Sequence, residues 1–165
     1  GTSDYGAQVA AHFGIPYCFA HFITQGEGCA QALNLYRERY QPSPRHPQPV
    51  TTVCVWALMA DTEEEAEFQF MSRARTRLAR DRGVLEQVEA PDVAASHAYS
   101  PAEQSRIRTM REDAFVGTPE KVGNRLRDLA AQLHLEELVI LTWTYELAAR
   151  KRSYELFAQE FAISA

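Results

Sequence analysis

Cysteine is scarce in this chain and badly placed for a framework role. Cys18, Cys29 and Cys54 are odd in number, widely spaced and form no CxxC pair, so neither a disulfide scaffold nor a zinc site is indicated. His12, His46, His97 and His134 share no spacing with cysteines or carboxylates, and no metal site is expected. No apolar run approaches the roughly 18 residues of a membrane span, and the opening GTSDYG lacks the features of a signal peptide. A cytoplasmic protein without a membrane partner is expected. An excess of basic residues is missing too. The 17 Lys and Arg against 22 Asp and Glu leave a formal net charge of −5, the wrong sign for gripping phosphate backbones, so no nucleic-acid partner is expected. Neither a Gly-rich Walker loop nor a Ser-His-Asp order is present.

What is present alternates between apolar runs and amphipathic stretches. Asp4 can cap a short helix with Val9, Ala10 and Phe13 on one side and Gly14 at its end. Ile15 to Ile23 is an apolar run entered through Pro16, predicted to be a strand buried on both faces, with Cys18 and Cys54 as small core residues. Glu27 to Tyr40 has helical spacing and is broken by the proline-rich loop 41–49. Val50 to Ala60 reads as a second buried strand, and Asp61 to Glu65 opens a helix with acidic residues where the helix dipole favours them. Residues 83–100 show little periodicity and are expected to be irregular, ahead of a polar helix from Pro101 to about Asp113. Thr118-Pro119 marks another helix start, running to about Leu133. Glu137 to Thr144 is the third apolar strand and Tyr145 to Phe161 a final helix, its apolar side carrying Leu147, Tyr154, Leu156, Phe157 and Phe161. Serial strand-helix units of this kind argue for an α/β fold with parallel strands.

Several local patterns occur in an order that resembles the luciferase-like, flavin-dependent monooxygenases, a (β/α)8-barrel family. They are Thr2-Ser3-Asp4-Tyr5-Gly6-Ala7, Phe13-Gly14-Ile15-Pro16, Ala60-Asp61-Thr62-Glu63-Glu64-Glu65-Ala66, Val116-Gly117-Thr118-Pro119-Glu120, Thr142-Trp143-Thr144 and Arg152-Ser153-Tyr154-Glu155-Leu156. The resemblance implies an α/β chain forming the C-terminal part of a TIM-type barrel. It would run from the end of strand five to helix eight over residues 1–165, with an insertion at 83–113 after strand seven. A complete barrel needs about 250 residues, so strands one to five would be missing and the chain alone inactive. The alternative is a small complete α/β domain with two uncovered apolar sheet edges.

The resemblance also implies an enzyme that uses FMN, reduced by a reductase or NAD(P)H, and dioxygen to oxygenate a small organic substrate. Homo-oligomerisation, or association with the missing barrel half, is implied as well. By matching, Thr2 and Ser3 would bind the FMN phosphate with help from the Tyr5 and Gly6 amides. From local sequence alone, the same residues read as an ordinary helix cap. Ala20, His21 and Phe22 would lie beside the isoalloxazine ring, although His21 reads equally as an edge histidine without a chemical role. Met59, Ala60 and Asp61, with Thr142, Trp143 and Thr144, are weaker candidates for the substrate side, Trp143 reading more readily as packing. Two other readings stay open: a deazaflavin-dependent hydride-transfer enzyme of the same fold, and a non-enzymatic half-barrel interaction domain.

Overall fold

A computed structural model of the chain describes residues 1–135 and 137–163. Its elements, in chain order, are helix α1 (Asp4–Phe13), strand β1 (Tyr17–Ala20), helices α2 (His21–Thr24) and α3 (Cys29–Arg39), and strand β2 (Thr51–Met59). Helices α4 (Glu63–Asp81), α5 (Pro91–Ser96) and α6 (Pro101–Asp113) follow, then strand β3 (Phe115–Gly117), helix α7 (Pro119–Gln132), strand β4 (Glu137–Leu141) and helix α8 (Leu147–Glu160). All described strand pairs are parallel. The elements group into two compact units.

The first unit comprises Gly1–Trp56 and Arg127–Leu141. Here β2 is flanked by β1, with Tyr17 opposite Thr51, and by β4, with Val53 opposite Leu138. Helix α1 packs on α3 and buries Ala7, Ala10 and Ala11. Their small side chains let the two helix backbones approach closely. Tyr36 on α3 is fully buried; its hydroxyl donates to the Ile15 carbonyl at 3.0 Å and accepts from Val50 N–H at 3.1 Å. One phenol thus serves the backbone just before β1 and just before β2. Arg37 donates to the Leu133 carbonyl at 2.7 Å and to Thr51 Oγ1 at 3.0 Å, fastening the turn that leads to β4.

The second unit comprises Ala57–Leu126 and Thr142–Ala165. The last three residues of β2 pair with β3, Met59 opposite Gly117. Thr62 caps α4 by accepting the Glu65 N–H at 3.1 Å, and Ala66, Phe70, Ala74 and Leu78 are its buried stripe. Helices α5 and α6 pack on α4. Glu63 Oε1 accepts the Thr118 N–H at 2.8 Å and Oε2 accepts from Lys121 at 2.6 Å, so the first turn of α4 holds the entrance to α7. Gly117, at φ 145°, makes this possible: a Cβ there would lie 2.5 Å from Glu63 Oε1.

Several expectations change. The strand foreseen over Ile15 to Ile23 is confined to Tyr17–Ala20, and the chain then turns into α2. It is not buried on both faces. Tyr17 and Phe19 are buried while Cys18 is exposed, and Ile15 and Ile23 are 47% and 50% exposed. Cys18 is therefore no core residue and Cys54 only half-buried, whereas Cys29 is buried and its thiol pushed up to about 11 by that burial. Residues 83–100 are not wholly irregular, since α5 forms within them. A fourth strand, β3, precedes the helix start at Thr118-Pro119. On α8 the core contacts come from Leu156 and Phe157, while Leu147 and Tyr154 are 52% and 41% exposed. Tyr154 serves by its hydroxyl instead, accepting the Thr142 N–H at 3.0 Å. No helix among the described residues is long and apolar enough to cross a membrane.

Candidate functional site

The expected cofactor residues all fall in the first unit. Gly1 N donates to the Cys18 carbonyl at 2.7 Å and the Gly1 carbonyl accepts the Ala20 N–H at 2.8 Å. Bonds to the positions before and after Phe19 hold Gly1 alongside that residue, in the manner of a parallel neighbour. The chain therefore passes Thr2 and Ser3 beside the C-terminal end of β1, where Ala20, His21 and Phe22 follow. Two segments separated by nearly twenty positions in sequence are brought together at one strand end.

Ser3 occupies the N-cap of α1 with an extended backbone, yet its side chain makes no capping bond to the helix. Its carbonyl is used instead, accepting from Tyr17 Oη at 3.2 Å and from Ala7 N–H at 3.3 Å. The Ser3 hydroxyl is exposed and uncommitted to the helix, at a terminus whose amides attract anions. This differs from the ordinary cap that local sequence suggests, and Asp4, expected to cap, is instead the first helical residue. Its carboxylate accepts from Gln31 at 2.6 Å. Tyr5 is 77% exposed. Gly6 has only Tyr17 and Gly1 near its missing Cβ, at 3.7 and 3.8 Å, so its backbone is not forced to be glycine by crowding.

His21 opens α2, and its imidazole lies back over the turn that follows. A Cβ at Gly26, whose φ is 89°, would come within 2.5 Å of His21 Nε2, so the ring's place depends on a glycine there. Ala20, His21 and Phe22 are all half-buried. In the same short helix, Thr24 Oγ1 is a buried hydroxyl with no hydrogen-bond partner, a polar atom that a bound molecule would satisfy.

The weaker candidates lie in the second unit. Thr142 is buried and its hydroxyl donates to the Ala57 carbonyl at 2.6 Å, a structural role. The Arg73 guanidinium lies 5.4 Å from the Trp143 ring centroid and burial pulls it down to about 9, consistent with packing at this position. Met59, Ala60 and Asp61 line a cleft of about 200 Å³ together with Gln69 and Arg152. Arg152 grips Asp61 with two bonds, Nε to Oδ2 at 2.9 Å and Nη2 to Oδ1 at 2.5 Å, and these hold the Asp61 carboxyl below its ordinary value. Sequence reading gave Gln69 and Arg152 no role. The Arg152–Asp61 partners are 91 positions apart, and no local spacing signals such a pair.

A parallel α/β chain of this kind does not by itself specify an activity. Comparison with known proteins narrows this. The chain is 39% identical over 163 residues to the uncharacterized protein YwcH of Bacillus subtilis, covering 98% of this chain and 49% of that one. It is 32% identical over 157 residues to a luciferase-like monooxygenase of Escherichia coli K12, covering 94% and 46%. Among solved structures, apo-MsnO8 superposes with a TM-score of 0.85 at 26% identity, covering 99% of this chain and 50% of that one. The oxygenating constituent of 3,6-diketocamphane monooxygenase from Pseudomonas putida, solved with FMN, shares the fold at a TM-score of 0.50 and 16% identity, covering 93% and 44%. No family model matches the chain. Over nearly all its residues the chain is a relative of the luciferase-like monooxygenases, and it spans about half the length of the curated relatives it matches.

Proposed function

We propose that this chain is the C-terminal part of a flavin-dependent monooxygenase barrel and carries the phosphate side of an FMN site. When bound, the flavin supplies the redox chemistry by which dioxygen oxygenates a small organic substrate. The chain's own residues bind and orient. In this reading the Thr2 and Ser3 hydroxyls and the first amides of α1, with those of Tyr5 and Gly6, hold the phosphate. Ala20 leaves room for the ring system, while His21 and Phe22 flank it and exclude water. Residues 83–113 are an insertion after the strand-seven equivalent, β2. A reductase or NAD(P)H provides the electrons, and a second copy or the remaining barrel half is the protein partner.

The observations that support this reading are the two backbone bonds that hold Gly1 beside β1 and a Ser3 hydroxyl that makes no capping bond to α1. The absence of a Ser-His-Asp order from the sequence is compatible with it, because cofactor enzymes leave the hard chemistry to the cofactor. The test is FMN affinity in a protein of the relatives' full length. Ser3→Ala should weaken FMN about tenfold or more, as expected for one charge-assisted hydrogen bond. An unchanged affinity would remove Ser3 from the site. The flavin released from such a protein should have the absorption spectrum of FMN; a deazaflavin spectrum would move the reading to hydride transfer without oxygen.

A further inference from the structure

Helix α1 carries apolar side chains where a helix facing only solvent would carry polar ones. Its buried residues are Ala7, Ala10 and Ala11, and Tyr5, Val9 and Phe13, a turn apart from one another, form a second stripe away from them. Tyr5 is 77% and Phe13 65% exposed, and Val9 is half-buried. With Gln8, His12 and Arg39 they line an open groove of about 390 Å³ between α1 and the end of α3. The ends of this surface differ in charge. Asp4, in the first turn of α1, accepts from Gln31 on Oδ2 at 2.6 Å, and no other described residue bonds its carboxylate. Arg39, in the last turn of α3, gives Nη1 to Gln8 Oε1 at 2.9 Å, and its other N–H groups meet no described residue. The bonds Gln31 to Asp4 and Arg39 to Gln8 run α1 and α3 side by side in the same direction, so the carboxylate stands toward one end and the guanidinium toward the other. At the Arg39 end the His12 ring packs edge-on against Phe13, with 5.0 Å between centroids.

We propose that this face is the contact between two copies of the chain, related by a twofold axis through Val9 that sets the two α1 helices antiparallel. A twofold contact has to be self-complementary, and reversal about Val9 makes this one so. It exchanges positions 5 and 13, so the partner's Tyr5 enters the groove beside Phe13 and Arg39, while Val9 meets its own copy. It also carries Asp4 of each chain toward Arg39 of the other, joining an uncommitted acceptor to uncommitted donors. A parallel pairing would bring each charged end to its like, which repulsion disfavours. Tyrosine and arginine are side chains that often anchor such contacts. The surface locates the second copy named in the proposed function, and rests on that reading for nothing else. The flavin reading calls on the backbone amide of Tyr5 and leaves its ring free. Contact through one helix face is at the small end of protein interfaces, so a dissociation constant on the order of 10 μM is expected.

The test is disulfide crosslinking, without flavin, in the 165-residue chain carrying Cys18→Ser and Cys54→Ser, which leaves the buried Cys29 as its one native thiol. Under copper–phenanthroline and air, Val9→Cys is expected to give a covalent dimer. Tyr5→Cys or Phe13→Cys alone should not, because reversal sets each about 12 Å along the helix axis from its own copy. An equimolar mixture of the two should crosslink. In the Val9→Cys background, Asp4→Arg or Arg39→Asp should each slow crosslinking about tenfold, and mixing the two chains, which pairs opposite charges at both ends, should restore the rate. The proposal is overturned if Val9→Cys stays uncrosslinked, as association through any other surface would leave it. It is equally overturned if Tyr5→Cys crosslinks to itself as fast as to Phe13→Cys, or if the two charge variants crosslink no faster mixed than apart. None of these results depends on whether Ser3→Ala alters FMN affinity, so the failure of either reading is seen separately.

Discussion

At the scale of single residues, buried hydroxyls do work that residue type alone does not announce. Ser153 is fully buried and its Oγ accepts the Met59 N–H at 3.0 Å. Ser153→Ala strands a buried amide and should destabilise the fold by about 1–3 kcal/mol in urea unfolding; a change near zero would mean that the amide finds another partner. Glu63 gives a pH prediction. Its bond from Lys121, helped by the Thr118 N–H, holds its carboxyl below the ordinary 4.5. A depressed carboxyl contributes stability that is complete above the unfolded value and disappears as pH falls through the lower folded one. Acidification below about pH 4.5 should therefore weaken the chain, and Glu63→Gln should flatten that part of the stability profile. A profile identical to that of the parent would dismiss the Glu63 contribution.

At the scale of elements, legibility follows how far each element's cause extends along the chain. Helix α6 was readable to its ends because its signals are local. Ser100 and Glu103 form a reciprocal capping box with Pro101 at the first turn. Strand β2 was readable because nearly all of its nine residues are apolar and seven are buried. β3 was not, since three residues directly before a strong helix start carry no periodicity, and they become a strand only through pairing with Ala57–Met59. β1 was overextended because the apolar run Ile15 to Ile23 hides the turn at His21, which rests on Gly26 five positions later. The candidate site was legible as residue types, Thr2-Ser3 and Ala20 to Phe22. The Gly1 bonds to Cys18 and Ala20, and the cleft at Met59 to Asp61, rest on contacts no sequence window contains. Caps give the prediction at this scale. Thr62→Ala should cost about 1 kcal/mol through loss of the bond to Glu65 N–H, read as a lower urea midpoint with an unchanged slope. An unaltered midpoint would show that α4 is anchored without its cap.

At the scale of the whole molecule, the sheet of the first unit is covered unevenly. Parallel register sets Cys18, Ala20, Cys54 and Val139 on one face and Tyr17, Phe19 and Val53 on the other. The second face is buried with α1 and α3, whereas on the first Cys18 is exposed and Val139 is 40% exposed. An apolar sheet face left open in this way favours association. The 165-residue chain by itself should sediment as more than a monomer and bind FMN weakly; a monomer that binds FMN stoichiometrically and tightly would contradict the proposal that it is part of a larger barrel.

The proposed function requires that the end of β1 and the start of α1 form the phosphate side of a flavin site. FMN fluorescence quenching, titrated in parallel on a protein of the relatives' full length and on its Ser3→Ala variant, tests this most directly. Saturable binding is expected for the first, and affinity weakened about tenfold or more for the second. Equal affinities in the two proteins would contradict it.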